Sequence, residues 1–158
     1  MTHHAQRGAT LIEFALGLLI FLMFLLGVVD FSRMLYTWAA ATEATRAGAR
    51  YAVVCADPQY ANSKNLVLGQ MTPWLPQLTS SNVTIDWYDP AGNKSTTCDS
   101  TSCGGVRVRI DPQAPLKFQW IAPVIGQAIQ QIPMPEFATY LPREIMRQDP
   151  NSSTACAS

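Results

Sequence analysis

One apolar run, residues 9–29, dominates the N-terminal part of the chain. Glu13 is the only charged residue in this run, and Asp30 ends it. Because no proline occurs before Pro58, the pattern predicts one continuous helix over residues 10–54. At a rise of about 1.5 Å per residue this helix would be about 65 Å long, roughly twice the thickness of a bilayer core. The first half is therefore predicted to lie in a membrane and the second half outside it.

The apolar run is predicted to be a transmembrane anchor rather than a cleaved signal peptide. Its 21 residues are enough to span a bilayer with little tilt. A signal peptide needs a shorter apolar core followed closely by a small-x-small site. The candidate site at residues 39–41 lies about ten residues beyond the run, which is too far. Glu13 is either a carboxylate that reaches the headgroups or a functional group.

Residues 30–54 change to an amphipathic pattern, with apolar positions at spacings of three and four. Arg46 and Arg50 are one turn apart and are predicted to share a face, and Glu43 is placed to pair with Arg46. Most other residues here are small, and Gly48 stands among alanines. Two explanations stay open: alanine favours the helix itself, or small side chains let another element approach closely.

The residues after Pro58 alternate short elements with turns and predict one small domain. The clearest strand, residues 105–111, places Arg107 and Arg109 opposite its apolar side chains, as on an exposed sheet face rather than in an anion site. The other predicted elements are a short helix at 65–78 broken by Pro73 and Pro76, a strand at 83–88, a turn at 89–93, a short helix or helical turn region at 120–132 opened by Pro123, and a weaker strand at 137–141. The expected fold class is α+β, with a small antiparallel sheet of about three strands packed on the second half of the long helix.

This pattern divides the chain into five parts. They are a leader at 1–8, a transmembrane helix half at 9–29, an exported helix half at 30–56, a small domain at 57–148 and a polar tail at 149–158. Prolines and uncharged polar residues are frequent in the domain, as expected of a loop-rich exported protein. Its length is enough for one small hydrophobic core.

The charged and titratable residues favour neither nucleic-acid binding nor catalysis. The 11 Lys and Arg are scattered and are balanced by 11 Asp and Glu, unlike the basic footprint of a nucleic-acid-binding protein. His3 and His4 are the only histidines and belong to the leader, so a histidine-based triad is excluded from the domain. The sequence has no glycine-rich phosphate loop and no CxxC spacing for zinc. No enzyme activity, cofactor or metal is expected.

The four cysteines all follow the apolar run, which indicates an oxidising compartment on that side of a membrane. Cys98 and Cys103 enclose four residues, and a disulfide between them would close a small ring. Cys55 would then pair with Cys156 and fasten the tail to the helix end. Three pairings are possible, and the sequence leaves the choice open.

The start of the chain resembles the prepilins of the type IV pilin family. In that family a short basic leader ends in Gly, cleavage follows directly, and the fifth mature residue is Glu. Gly8, Ala9 and Glu13 occupy these three places. The resemblance implies that the new amine of Ala9 pairs with the Glu13 carboxylate of a neighbouring subunit. Two groups that are costly to bury singly become tolerable as a pair.

Two motifs resemble the TadE/TadG-like family, the minor pilins or pseudopilins of tight-adherence (Tad) pili. That family usually has Arg-Gly before an apolar helix containing Glu-Phe, as in Arg7-Gly8 and Glu13-Phe14 here. It also has an AREGARYA-like segment at the helix end, here residues 45–52, with Ala47 where Glu is common. The resemblance covers about a third of the chain. It implies helix-packing roles for Phe14, Arg46, Gly48, Arg50 and Tyr51.

The resemblance implies a structural protein, cleaved by a prepilin peptidase and built into a Tad-type pilus that supports surface adhesion. The implied partners are other pilin subunits, the peptidase, an inner-membrane assembly platform and lipid. The domain would lie outside the bacterial inner membrane before assembly and in the pilus afterwards. The count of Lys and Arg around the run does not itself favour a cytoplasmic leader. Two alternatives stay open: an unprocessed single-pass protein with an exported binding domain, and a type II secretion pseudopilin, which more often has Phe at the place of Ala9.

Overall fold

The computed structural model describes residues 5–99, 101–111, 113–114, 116–121 and 132–143. Its first element is α1 (Ala5–Cys55), a single helix of 51 residues. It starts about one turn before the predicted start and ends beside the predicted end, shortly before Pro58. The described residues fall into two compact units, the first within residues 1–36 and 118–132 and the second within residues 37–117 and 133–158.

The second unit is built on a four-stranded antiparallel sheet. Its strands are β1 (Val83–Tyr88), β2 (Lys94–Ser95), β3 (Gly105–Ile110) and β6 (Ala138–Pro142), in the order β2-β1-β3-β6. The three predicted strands are confirmed as β1, β3 and β6. The short β2 was not predicted, and it completes a hairpin with the expected turn at 89–93, where Gly92 has a φ of +85°.

One predicted helix is shorter in the structure, and most of the other cannot be compared with it. The helix expected at 65–78 is α2 (Ser63–Met71), which is shorter because Pro73 and Pro76 follow it. Most of the helix expected at 120–132 lies outside the described residues. On either side of the residues that are not described, β4 (Lys117–Phe118) pairs with β5 (Ile132–Pro133) in a two-stranded sheet.

The core of the second unit lies between one face of the sheet and the second half of α1. Strands β1 and β3 supply large side chains that are fully or almost fully buried, and α1 supplies small ones. The buried core residues include Val83, Val106, Val108 and Ile110 from the strands, Ala41, Ala44, Ala49 and Ala52 from α1, and Val67 and Met71 from α2. Thr45 of α1 is hydrogen-bonded through its hydroxyl to the Thr139 hydroxyl of β6 at 3.0 Å. The α+β fold class and the pilin-like order of elements are thereby confirmed.

Candidate functional site

The N-terminal half of α1 presents large apolar side chains to the outside. Every side chain from residue 9 to residue 25 is exposed. Phe24 is 72 % exposed, and Leu11 is 70 % exposed. Among the described residues, this is the one helix long and apolar enough to cross a membrane. A continuous apolar surface of this kind is covered by lipid or by other helices.

Glu13 is the single carboxylate on this apolar surface. Its neighbour Phe14 is 70 % exposed, and the predicted cleavage site between Gly8 and Ala9 lies near the start of α1. Ala9, Glu13 and Gly17 follow one another at intervals of four residues, so they share one face of the helix. A Cβ atom added at Gly17 would meet nothing within 4 Å. A second helix can therefore approach closely beside the carboxylate.

A second carboxylate, Asp30, is fully buried at the end of the apolar run. Both of its oxygens accept a hydrogen bond from the backbone N–H of Ile121, at 3.1 and 3.0 Å. Arg33 pairs with the same carboxylate at 3.0 Å, and its guanidinium lies 5.4 Å from the centre of the Phe118 ring. In the sequence, Asp30 stands out only as the boundary of the run. Its partner is 91 residues away in the sequence, so no local pattern predicts the contact.

In the second unit, Gly48 of α1 lies directly against Met71 and Val67 of α2. A Cβ atom added there would come within 2.8 Å of both the Cγ and the Sδ of Met71, and within 3.3 Å of Val67. Ala44, Ala49 and Thr45 are buried in the same segment. Of the two explanations left open by the sequence, close packing therefore accounts for Gly48. The contact lies within this chain rather than between subunits.

The two arginines of the same motif lie on the exposed side of α1. Arg46 donates to Glu43 at 2.8 Å, which is the pair expected from their spacing, and both side chains are about half exposed. Arg50, one turn later, is also exposed. Tyr51 is half-buried and packs against the core. Residues 44–52, which contain this motif, thus form a small-residue face that packs against the domain and a charged face that remains accessible.

The outer face of the sheet carries an ion-pair network. Asp86, which is almost fully buried, lies 2.6 Å from Lys94 and 3.3 Å from Arg109. Glu136 lies 2.8 Å from Arg107 and 3.8 Å from Arg109. The interpretation of the two arginines as a sheet face rather than an anion site agrees with these acidic partners. Asp86 was not among the candidate residues predicted from the sequence, although its alternate position in β1 places it on the same face as the arginines.

A disulfide and a capped turn fix the loop between β2 and β3. Cys98 and Cys103 are bonded, which is one of the pairings that the sequence left open. Within the loop, Asp99 accepts hydrogen bonds from the backbone and hydroxyl groups of Thr101 and Ser102, which hold the pKa of its carboxyl well below the usual value. Cys55 is not a free thiol, and its expected partner Cys156 lies outside the described residues.

Comparison with known proteins supports the N-terminal motifs. Residues 8–50 match the family model described as TadE-like protein. The match begins at the glycine of the predicted cleavage site and ends inside the second motif, at Arg50. Searches of curated proteins and of solved structures gave no match.

Proposed function

We propose that the protein is a minor pilin of a Tad-type pilus, because its residues 8–50 match the TadE-like family model. In this proposal a prepilin peptidase cleaves after Gly8. The mature helix then starts at Ala9 and joins the filament beside the helices of other pilin subunits. The domain faces outward, and the role of the protein is to prime or support assembly of a pilus used for surface adhesion.

The observation that carries the proposal is Glu13 on an otherwise apolar, exposed helix surface. A carboxylate in a membrane span costs a few kcal/mol and is retained where it has a use. Cleavage after Gly8 would place a new ammonium group on Ala9, at the N-terminus of the same helix. An ammonium from one subunit and the Glu13 carboxylate of its neighbour neutralise each other in the apolar filament interior.

The face around Glu13 suits such a contact. Ala9 and Gly17 lie one turn before and one turn after the carboxylate on the same side of α1. Their small size lets a neighbouring backbone come close, as at the small-residue interfaces of membrane helices. Large side chains at these two positions would hold the partner amine away from the carboxylate.

Cleavage after Gly8 requires little unfolding of the helix. The scissile bond follows residues 5–8, the first turn of α1. The first four N–H groups of a helix have no partner within it, so this turn frays easily and can enter a protease site in an extended form. Removal of the leader would leave the rest of the 51-residue helix intact.

The proposal also assigns partners and a location. The partners are other pilin subunits through α1, the prepilin peptidase and an inner-membrane assembly platform. Before assembly the helix lies in the bacterial inner membrane with the domain on the extracytoplasmic side. The family match and the candidate membrane span support a membrane-anchored protein associated with a pilus. The Cys98–Cys103 disulfide fits an oxidising compartment for the domain.

Substitution of Glu13 tests the proposal. Glu13→Ala should leave leader cleavage largely intact but strongly reduce the protein in sheared filaments, because a neighbouring amine loses its partner. The matched control is Glu43→Ala, which removes a half-exposed carboxylate outside the apolar run. Immunoblots of membrane and sheared fractions give both readouts. Normal incorporation of the Glu13→Ala protein would contradict the pairing.

A further inference from the structure

We propose that the segment 118–121 forms a second lipid contact, held by Asp30 at the outer surface of the membrane, with the Ile121 side chain resting among the lipid headgroups and upper acyl chains. The first contact is the apolar run of α1. The inference requires that this run lies in a membrane, as it does both in the proposed function and for an unprocessed anchor. It does not depend on cleavage after Gly8.

The depth of Asp30 follows from helix geometry. Residues 9–30 rise about 31 Å at 1.5 Å per residue, which matches the hydrocarbon thickness of about 30 Å. Asp30 therefore marks the level at which α1 leaves the hydrocarbon core. A residue bonded to Asp30 must lie close to the same level.

Asp30 holds the segment by a strong and specific contact. Its carboxylate is fully buried and accepts the Ile121 N–H with both oxygens, at 3.1 and 3.0 Å. Arg33 lies 3.0 Å from the carboxylate and balances its charge, which makes burial tolerable. Hydrogen bonds to a charged acceptor are stronger than those between neutral groups. The backbone at Ile121 is thereby fixed against α1.

Aromatic side chains reinforce this arrangement. The Arg33 guanidinium lies over the Phe118 ring at 5.4 Å, and Phe118 meets Trp120 edge-to-face at 5.3 Å. Aromatic residues concentrate at membrane–water interfaces, where an apolar ring and a polar edge are both satisfied. On α1 itself, Phe31 is 53 % exposed and Tyr36 is 75 % exposed just beyond Asp30.

Lipid is the occupant favoured by the position of the exposed surface. Ile121 is 55 % exposed, although it is a large apolar side chain fixed in place by its backbone. Val28 and Val29, immediately before Asp30, are also exposed and belong to the membrane span. The hydrogen bond from its backbone N–H to the Asp30 carboxylate holds Ile121 at the level of α1 that directly follows these two valines. A bilayer that covers the span extends to this side chain as well.

The test places a reporter at Ile121 in the full chain. The protein carries 5-fluorotryptophan, is reconstituted in nanodiscs of phosphatidylethanolamine and phosphatidylglycerol, and is observed by fluorine NMR. Ile121→Trp adds one resonance, and Tyr60→Trp, at a 59 % exposed position in the second unit, provides the matched control. Lipid with a nitroxide near the headgroup should remove most of the intensity at position 121 and little at position 60. A water-soluble nitroxide should broaden position 60 more strongly.

A second variant tests the role of Asp30. Asp30→Ala combined with Ile121→Trp should make the resonance at position 121 respond to the nitroxides as position 60 does. If this variant misfolds, the single Ile121→Trp variant still decides the proposal. Equal responses at positions 121 and 60 in that variant would overturn the lipid contact. Protection of position 121 from both nitroxides, increasing with protein concentration, would also overturn it and indicate a subunit contact. Failure of the protein to remain with lipid on a density gradient would instead contradict the membrane span itself.

Discussion

The two halves of α1 use opposite kinds of residue for opposite purposes. In residues 9–25 the side chains are mostly large and apolar, and all are exposed. In residues 40–52 the buried positions are Ala, Gly and Thr, which allow a sheet and a second helix to approach closely. Hydrophobicity alone would assign the core to the wrong half. Side-chain size and the period of the pattern distinguish the half that packs within the chain from the half that needs an external partner.

The largest expected difference in stability between the halves comes from truncating one methionine at each of them. Met71 is fully buried against the second half of α1, whereas Met23 is 42 % exposed on the first half. Met71→Ala should lower the free energy of unfolding of the domain by about 2–5 kcal/mol through the cavity left behind. Met23→Ala should leave it unchanged. Urea unfolding in detergent micelles, followed by tryptophan fluorescence, measures both. Equal losses of unfolding free energy in the two variants would contradict the different roles of the two halves.

A pair of glycines provides the next test. Gly48→Val forces side-chain atoms into Met71 and Val67 and should cost about 1–3 kcal/mol of domain stability. Gly17→Val is the control, because nothing lies within 4 Å of its added Cβ, and the same unfolding measurement should show no loss. Gly17→Val should instead reduce recovery in sheared filaments if the face around Glu13 contacts another helix. An unchanged domain stability for Gly48→Val would contradict close α1–α2 packing.

The charged face of the second half should matter little for stability. Arg46 and Glu43 form an exposed pair at 2.8 Å, and such pairs contribute about 0.3–0.5 kcal/mol. Arg46→Gln should therefore shift the unfolding midpoint only slightly. The predicted role of Arg46 in helix packing is tested by measuring how much of the Arg46→Gln protein is recovered in sheared filaments, provided that its domain stability is unchanged. A large loss of stability would place Arg46 in the fold rather than on an assembly surface.

The smallest expected effect is a loss of domain stability at acidic pH through the carboxyl of Asp99. Hydrogen bonds from Thr101 and Ser102 lower the pKa of Asp99 well below its usual value of 3.8. A carboxyl whose pKa is lower in the folded protein contributes stability above its unfolded pKa, and that stability is lost as the pH falls through the folded value. The wild-type domain should therefore weaken below about pH 4, and Asp99→Asn should flatten that dependence. Unfolding midpoints measured across this range check the sign. A variant as sensitive to acid as the wild type would contradict it.

The sequence predicted most of the regular elements because their patterns are local. The long helix follows from the absence of proline before Pro58, and β3 follows from strict alternation. The turn at 89–93 follows from Asp, Pro, Gly and Asn. In each case a few adjacent residues contain the whole physical cause.

What the sequence did not predict depends on residues far apart in the chain. The Asp30–Ile121 hydrogen bond joins residues that are 91 positions apart in the sequence, and the Thr45–Thr139 hydrogen bond joins residues that are 94 positions apart. Lys94–Ser95 has only two residues and no pattern of its own, so β2 forms because β1 offers an edge. The end of α2 at Met71, by contrast, has a local cause, since the predicted break at Pro73 and Pro76 follows directly.

The most direct test of the central claim is the intact mass, or the N-terminal sequence, of the protein from membranes of its native host. The account predicts a chain that begins at Ala9, and a Gly8→Trp variant that retains the leader. A chain that begins at Met1 or Thr2, or a Gly8→Trp protein of mature size, would contradict it. In that case α1 would be a plain anchor, and Glu13 would have no amine of this kind to pair with.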